Sequence, residues 1–196
     1  MQTMRVAIIM LALTILIYPL DIAAQTKPEQ GEPLYGYYLY DQDRFTGTTS
    51  LTFESSFTSA SDRSARTIVL LSYTAGAQAY FMALTFVDHD WIFADRLLYR
   101  VGDQNGSLSL WSVDRDVTSG GLVSESLFVL LSDEQYALLQ TDELIEFSLR
   151  GSDGRRDVAM DDSFQIMLQR VADARLYIDA GQPVPPAVLA GFQQRN

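Results

Sequence analysis

The residues best suited to chemistry in this sequence are Asp88, His89 and Asp90, where the only histidine of the chain stands between two carboxylates. An imidazole titrates near neutral pH, so it could act here as a general base or join the carboxylates in holding a metal ion. The three residues also link two apolar runs, and short polar links of this composition are typical of bends, in which neighbouring side chains diverge. We predict a bend, and we keep the three residues as candidate binding residues.

Acidic side chains offer a second kind of chemistry. The sequence has 25 of them, and carboxylate-dependent glycoside hydrolysis needs two that face each other across a cleft. No spacing in the sequence identifies such a pair. Three closely spaced pairs could supply oxygen ligands to Ca²⁺ without fitting a complete EF-hand loop: Asp41 with Asp43, Asp114 with Asp116, and Asp161 with Asp162. Acids are common in turns, so we predict solvated loops, no metal site and no cofactor.

Tyrosine is concentrated in one short segment, LYGYYLY, which supplies Tyr35, Tyr37, Tyr38 and Tyr40. A tyrosine ring has a flat apolar face and a polar hydroxyl, and such rings are enriched at recognition surfaces. If one face of this strand is exposed, its rings could stack on sugars or on a partner protein. We favour a sheet strand with half-buried rings, since aromatic residues are frequent in strands. The four tyrosines are retained as candidate binding residues.

Most common enzyme signatures are absent from the sequence. The chain has no cysteine and one histidine, which excludes disulfides, thiol catalysis and a histidine-rich metal site within one chain. There is no Gly-x-Ser-x-Gly nucleophile elbow, no phosphate-binding loop and no Gly-x-Gly-x-x-Gly dinucleotide pattern. The net charge of −11 disfavours nucleic acids and anionic membrane surfaces as partners.

The N-terminal segment has the layout of a secretory signal peptide. Arg5 precedes an almost unbroken apolar run at 6–20, and the small residues Ala23 and Ala24 follow it. We predict a signal peptide at 1–24, cleaved after Ala24, and hence a periplasmic or secreted protein without a membrane span. An uncleaved membrane anchor is the alternative, although the run is shorter than the roughly 20 residues that span a bilayer. Residues 25–33 contain two prolines and no apolar residue, which predicts a mobile lead-in.

Alternating apolar residues predict about eight strands in the rest of the chain. The run 80–87 is apolar on both faces, which is typical of a strand in the middle of a sheet. The run 91–101 could pair with it as a hairpin. Its residues alternate in two phases, apart from Asp95: Trp91, Phe93, Leu97, Tyr99 and Val101 against Ile92, Ala94, Arg96, Leu98 and Arg100. A turn is predicted at 102–106, where Asn105 precedes Gly106.

Two helices are predicted by their capping residues. Ser132 and Gln135 form the pattern of a capping box, which predicts a short helix near 133–140. Asp161 or Asp162 caps an amphipathic helix near 162–180, whose apolar residues recur at helical spacing.

Together these elements predict a mainly β protein. The expected fold is an antiparallel β-sandwich or barrel-like sheet of about eight strands, with the two helices near 133–140 and 162–180. An open α+β sheet is the alternative. We place a single β-rich domain at 34–181 and a proline-containing tail at 182–196.

The C-terminal part of this domain carries a resemblance. Over residues 143–181, a strand, the turn Ser152-Asp153-Gly154, a second strand and an amphipathic helix follow one another. This order resembles small exported bacterial proteins of the invasion-associated type, and it implies no function for the chain.

The sequence therefore favours an exported, non-enzymatic β-rich protein that binds a protein or another envelope component. Two alternatives stay open. One is a carboxylate-dependent hydrolase, and the other is a glycan-binding module that uses exposed tyrosines.

Overall fold

The computed structural model describes residues 35–43, 48–58, 66–77, 79–118 and 120–195. The predicted signal peptide and the predicted lead-in lie outside the described residues. The strands within these ranges are β1 (Gly36–Gln42), β2 (Thr49–Thr58), β3 (Arg66–Thr74), β4 (Tyr80–Asp88), β5 (Ala94–Val101), β6 (Gln104–Leu108), β7 (Leu110–Val117), β8 (Val123–Leu131), β9 (Ile145–Gly151), β10 (Gly154–Ala159) and β11 (Phe192–Gln194). The helices are α1 (Asp133–Leu139), α2 (Asp162–Asp179) and α3 (Pro186–Leu189).

The strands form two sheets, so the prediction of a mainly β protein is confirmed. Sheet A has the strand order β11-β1-β2-β3-β4-β8-β7, and sheet B has the order β10-β9-β5-β6. Neighbouring strands are antiparallel except for β1 and β11, which run parallel. Within the described ranges each sheet ends in two edge strands, and neither closes into the barrel that was one of the expectations.

The hydrophobic core lies where one face of sheet A meets sheet B and α2. Phe164 of α2 touches both sheets. Its ring centroid is 6.4 Å from that of Phe57 on β2 and 5.8 Å from that of Phe147 on β9. The side chain is fully buried, and truncating a phenylalanine at such a site typically costs about 3–5 kcal/mol.

Both predicted helices are confirmed, together with their caps. At α1 the Ser132 hydroxyl accepts from the Gln135 N–H at 3.2 Å, and the Gln135 side chain accepts from the Ser132 N–H at 3.0 Å. At α2 the Asp161 carboxylate accepts from the Ser163 N–H at 2.9 Å. Each cap satisfies a backbone donor that the first helical turn leaves without a partner.

Strand β4 confirms one prediction and overturns another. It lies between β3 and β8 in sheet A, and it is buried along almost its whole length. The predicted hairpin with the run 91–101 is wrong, because β5 belongs to sheet B and pairs with β6 and β9. The chain changes sheets at 89–93 instead of turning back along β4. Phe93 has a left-handed φ of 50° at this crossing, which is uncommon for a bulky residue.

A buried carboxylate, that of Glu125 on β8, holds this crossing in place. One of its oxygens accepts from the N–H groups of Ile92 at 2.6 Å and Phe93 at 3.0 Å, and the other accepts from Ala94 at 2.7 Å. The Arg115 guanidinium adds a 3.1 Å bond to the second oxygen and a 2.7 Å bond to the Ala94 carbonyl. Glu125 has no exposed surface. Hydrogen bonds to an ionised group are roughly twice as strong as neutral ones, so the contact is a strong tie between the sheets.

Strand β5 begins with a β-bulge. Ala94 pairs with Gly151, and the next pair is Arg96 with Arg150, which leaves Asp95 as an extra residue. A bulge of this kind shifts the alternation of side chains by one position. The alternation of inward-facing and outward-facing side chains before Asp95 therefore does not continue in the same order after it.

The bulge corrects the predicted phase of this segment. Ile92 and Ala94 are buried together with Leu97, whereas Phe93 is 43% exposed. Trp91 is half-buried and stacks on Phe93, with 5.8 Å between ring centroids. The prediction that Trp91 and Phe93 share one phase with Leu97 is wrong, because the extra residue at Asp95 shifts the alternation between them.

The C-terminal segment from 182 adds a strand to sheet A. Phe192–Gln194 pairs in parallel with β1, and the Phe192 ring meets that of Phe53 edge-on at 4.7 Å between centroids. Val188 of α3 and Phe192 are both buried. The contacts place this segment in the same compact unit as the sheets, Leu34–Asn196.

Replacing Glu125 tests the tie between the sheets. Glu125→Gln is expected to lower the free energy of unfolding by about 3 kcal/mol, because an amide N–H would face backbone N–H donors and Arg115 would lose its charged partner. Urea denaturation measures the change. The control, Glu134→Gln in the exposed first turn of α1, is expected to cost about 0.5 kcal/mol. Equal losses in the two variants would contradict the role given to Glu125.

Candidate functional site

The three residues of the predicted bend do not converge on one point. Asp88 is buried, and its carboxylate accepts from the Arg156 guanidinium at 2.6 and 2.9 Å and from the His89 N–H at 2.6 Å. His89 and Asp90 are exposed. Arg156 also lies over the ring of Phe86, 5.2 Å from its centroid. Asp88 thus joins the end of β4 to β10, whereas ligand binding by His89 or Asp90 stays a prediction.

Two of the four candidate tyrosines, Tyr35 and Tyr38, pack against the core. The ring centroid of Tyr35 is 6.1 Å from that of Phe192, and the Tyr38 centroid is 6.4 Å from that of Phe53. Both tyrosines are half-buried. Part of each ring is therefore occupied by packing within the protein.

The other two, Tyr37 and Tyr40, lie apart from that packing. The Arg195 guanidinium lies 5.8 Å from the ring centroid of Tyr37 and forms an ion pair with Glu54. Burial raises the pKa of Glu54, and Arg195 acts in the opposite direction. Tyr40 is 37% exposed. The four rings do not form one exposed row, and glycan binding through them stays a prediction.

A second set of titratable groups surrounds Arg175 on α2. Its guanidinium donates to the Tyr80 hydroxyl at 2.7 Å and to Asp133 at 2.6 Å. It also lies over the rings of Tyr73 and Tyr80, at 5.1 and 5.2 Å from their centroids. Arg175 therefore connects α2 with both β3 and β4 and with the start of α1.

Two tyrosines whose rings contact Tyr80, Tyr73 and Tyr136, are held in their protonated form. Burial, with the 2.6 Å hydrogen bond that the Tyr73 hydroxyl donates to Asp179, raises the pKa of Tyr73 to about 12. Burial also raises the pKa of Tyr136, whose hydroxyl donates to the Leu168 carbonyl. A phenol with a raised pKa is a poor base at neutral pH. The cluster fixes helices α1 and α2 to sheet A.

A cleft of about 610 Å³ opens on sheet B, away from the core. Residues directly opposite each other on neighbouring strands point to the same side. The strand register sets three such rows on this face: Arg155-Arg150-Arg96, Asp157-Ser148-Leu98-Ser107 and Ala159-Glu146-Arg100-Asn105. The alternate residues of β5 and β9, Leu97, Phe147 and Leu149, are fully buried. The three rows therefore form the outer face of sheet B.

Polar side chains in the cleft are held in place by one another. Arg150 donates through Nε to the Ser148 hydroxyl at 2.8 Å, and Ser148 donates to Asp157 at 2.5 Å. Arg100 and Glu146 form an ion pair across β5 and β9. Groups fixed before a ligand arrives lose less conformational entropy on binding. The cleft thus presents both charges and hydroxyl groups at set positions.

Tyr99 covers the short strand β6 on the core-facing side of sheet B, the side on which its pairing partner Phe147 is buried. A Cβ atom on Gly106 would lie 2.6 Å from the Tyr99 hydroxyl oxygen, so glycine lets the ring approach the backbone. The predicted turn over 102–106 is too long, because Asn105 and Gly106 belong to β6 and the turn takes only Gly102 and Asp103. Gly106 is explained by this contact and not by a positive φ.

The sequence contains a sign of this surface. Polar residues alternate along β9 at Glu146, Ser148 and Arg150, as they do along β5 at Arg96 and Arg100. Alternation marks a solvated strand face. The predicted turn at 152–154 makes β9 and β10 neighbours, which the structure confirms. Nothing in the alternation shows that β5 pairs with β9, so the complete rows could not be assembled from the sequence.

No protein-family model, curated protein or solved structure matches this chain. In the part of the chain that the structure describes, no helix is long and apolar enough to cross a membrane. The same ranges hold no group of three histidine or acidic residues that could bind a metal ion. The chemistry of the cleft must therefore be inferred from its own residues.

Stability in alkali should depend on Tyr73. Its pKa rises from 10.0 to about 12 on folding, so its contribution is complete below pH 10 and is lost as the pH rises through about 12. Tyr73→Phe is expected to reduce the fall in unfolding free energy over this interval, as measured by urea denaturation. Asp179→Asn should bring the Tyr73 transition, followed by tyrosinate absorbance, part of the way back toward pH 10. An unchanged pH dependence in Tyr73→Phe would refute the assignment.

Proposed function

We propose that this chain is an exported, non-enzymatic binding protein built on a sandwich-like β scaffold. Its ligand, a component of the cell envelope, would occupy the cleft on sheet B. The predicted signal peptide supports export. The observation that carries the binding role is the fixed polar network Arg150–Ser148–Asp157, which lies at a surface opening and not in the core.

The cleft suits a ligand that is rich in hydroxyl groups. Asn105 and Ser107 are exposed on β6, and their amide and hydroxyl can both donate and accept hydrogen bonds. Leu98 adds apolar surface to the same lining. Sites for small ligands commonly combine apolar surface with a few fixed polar groups. A saccharide offers both hydroxyl groups and apolar ring faces, and so fits this combination.

Asn105→Ala tests whether the cleft binds envelope material. The loss of one neutral hydrogen bond of about 0.5–1.5 kcal/mol should weaken binding by about two- to tenfold. The measurement is binding of the purified protein to an immobilised envelope polysaccharide fraction. His89→Ala, an exposed position outside the cleft, is the control and should bind as the wild type does. Equal binding by all three proteins would place the contact elsewhere.

A carboxylate-dependent hydrolase is the second candidate, because Glu146 and Asp157 both line the cleft. Asp157 pairs with Ser148, two residues along β9 from Glu146. Diagonal neighbours of this kind have backbone positions roughly 7–8 Å apart, close enough for two carboxylates to flank one glycosidic bond. Each carboxylate is already engaged, however, Glu146 by Arg100 and Asp157 by Ser148. Binding is therefore the function that the geometry supports better.

An assay of polysaccharide cleavage separates the two candidates. If the protein only binds, incubation with envelope polysaccharide should release no new reducing ends. If it is a hydrolase, reducing ends should accumulate, and Glu146→Gln and Asp157→Asn should each abolish their release. Cleavage that depends on both carboxylates would replace the binding proposal.

A further inference from the structure

Three arginines lie side by side on the outer face of sheet B. Arg155 pairs with Arg150 between β10 and β9, and Arg150 pairs with Arg96 between β9 and β5. Neighbouring strands are about 4.8 Å apart, so three guanidinium groups occupy one short row. We call Arg155, Arg150 and Arg96 the arginine row. Arg150 lines the cleft itself.

The arginine row is poorly neutralised within the protein. Arg96 pairs with Asp95, and Arg155 pairs with Asp157, each at a long N–O distance of 3.4 Å. In both pairs the two side chains are more than half exposed. Such surface pairs contribute little to stability. Among the described residues, no carboxylate lies within ion-pair distance of Arg150. Like charges directly opposite each other in a sheet are destabilising, so the row costs stability in the free protein.

The β-bulge creates this unfavourable arrangement. Without the extra residue, the register that pairs Ala94 with Gly151 would set Asp95 opposite Arg150 and form an attractive pair. The bulge instead sets Arg96 there. Bulges frequently re-aim side chains next to functional sites. The bulge thus replaces an attractive Asp–Arg pair by a repulsive Arg–Arg pair, which indicates that the arginine row has a role in binding.

The charge of this face also departs from that of the chain. Four arginines and two acids belong to the three rows, and the face keeps an excess of positive charge even when Asp95 at the bulge is included. The whole chain has a net charge of −11. An anionic ligand would be repelled by the protein as a whole and attracted by this face, so it would bind here in preference.

We propose that the arginine row binds the acidic groups of an anionic saccharide whose neutral part lies in the cleft; this inference rests on the proposed function. Guanidinium groups match the two oxygens of a carboxylate, phosphate or sulfate group. Ser107, Ser148 and Asn105 lie in the adjacent rows and can bind sugar hydroxyl groups. The three rows contain no aromatic ring on which a nucleic-acid base could stack, so the surface favours a saccharide over a single-stranded nucleic acid.

The test measures binding of the full-length mature protein to a polygalacturonate oligosaccharide and to a neutral galactan of matched length. The wild type should bind the acidic oligosaccharide more tightly, with an affinity that falls as salt concentration rises. Arg150→Gln should weaken that binding by about ten- to one-hundredfold, since it removes a charged hydrogen bond. Its Tm should nevertheless rise by about 1–3 °C, because repulsion within the row is relieved. A merely structural arginine would not show this opposite pair of effects.

Two further variants support the comparison. Arg155→Gln, at a mostly exposed side chain, should weaken binding in the same direction without risk to the fold. Arg66→Gln removes the same charge from the start of β3 in sheet A and should leave the affinity unchanged.

Several results would overturn the inference. These are tighter binding of polyglutamate or single-stranded DNA than of polygalacturonate, an equal effect of Arg66→Gln, and no effect of Arg150→Gln. Binding of neutral galactan that is weakened by Asn105→Ala and not by Arg150→Gln would reject the anionic ligand and leave the proposed function intact. If neither saccharide binds, the inference fails, and the Asn105→Ala comparison on envelope material decides the proposed function separately.

Discussion

The buried carboxylate of Glu125 is the contact on which the arrangement of both sheets depends. Its three backbone hydrogen bonds require successive N–H groups at 92–94 to point toward one place. The left-handed conformation of Phe93 makes that possible, at a cost of about 1 kcal/mol for a residue with a side chain. Charge-assisted hydrogen bonds of about 1.5–3 kcal/mol each outweigh this cost. The chain therefore crosses from sheet A to sheet B at a fixed point.

The cleft surface follows from that crossing. Gly151 stands where any Cβ atom would collide with the carbonyl oxygens of Ile92 and Phe93, so β9 can approach the crossing only with glycine there. The bulge at Asp95 lets the chain pass from this contact into regular pairing. The bulge also determines that Arg96, and not Asp95, lies opposite Arg150. A carboxylate on sheet A thus determines the row of charges on the far side of sheet B.

Sequence patterns predicted the features that depend on residues close to one another in the chain. Ser132 and Gln135 cap α1 because the bonds between them span only one helical turn, and the run 80–87 is an interior strand because both its faces are apolar. Pairing between distant segments was not predictable in this way. A polar link such as 88–90 suits a hairpin bend as well as a crossing between sheets, and only the distant Glu125 and Arg156 decide between them.

The same limit applies to the candidate site. Asp88 and His89 were predicted as candidate binding residues because they are adjacent in sequence. The ion pair with Arg156 instead makes Asp88 part of the framework. Arg96 is far from Arg150 and Arg155 in the chain, and the three carry no motif. Their proximity arises from strand register and one bulge. Arg156, next to Arg155, points to the opposite side of β10 and is neutralised by Asp88. The arginines that join the two sheets, Arg115 and Arg156, are paired with the buried carboxylates of Glu125 and Asp88. On the outer face, the carboxylates that approach Arg96 and Arg155 are exposed, and a firmly bound counterion for the arginine row would have to come from another molecule.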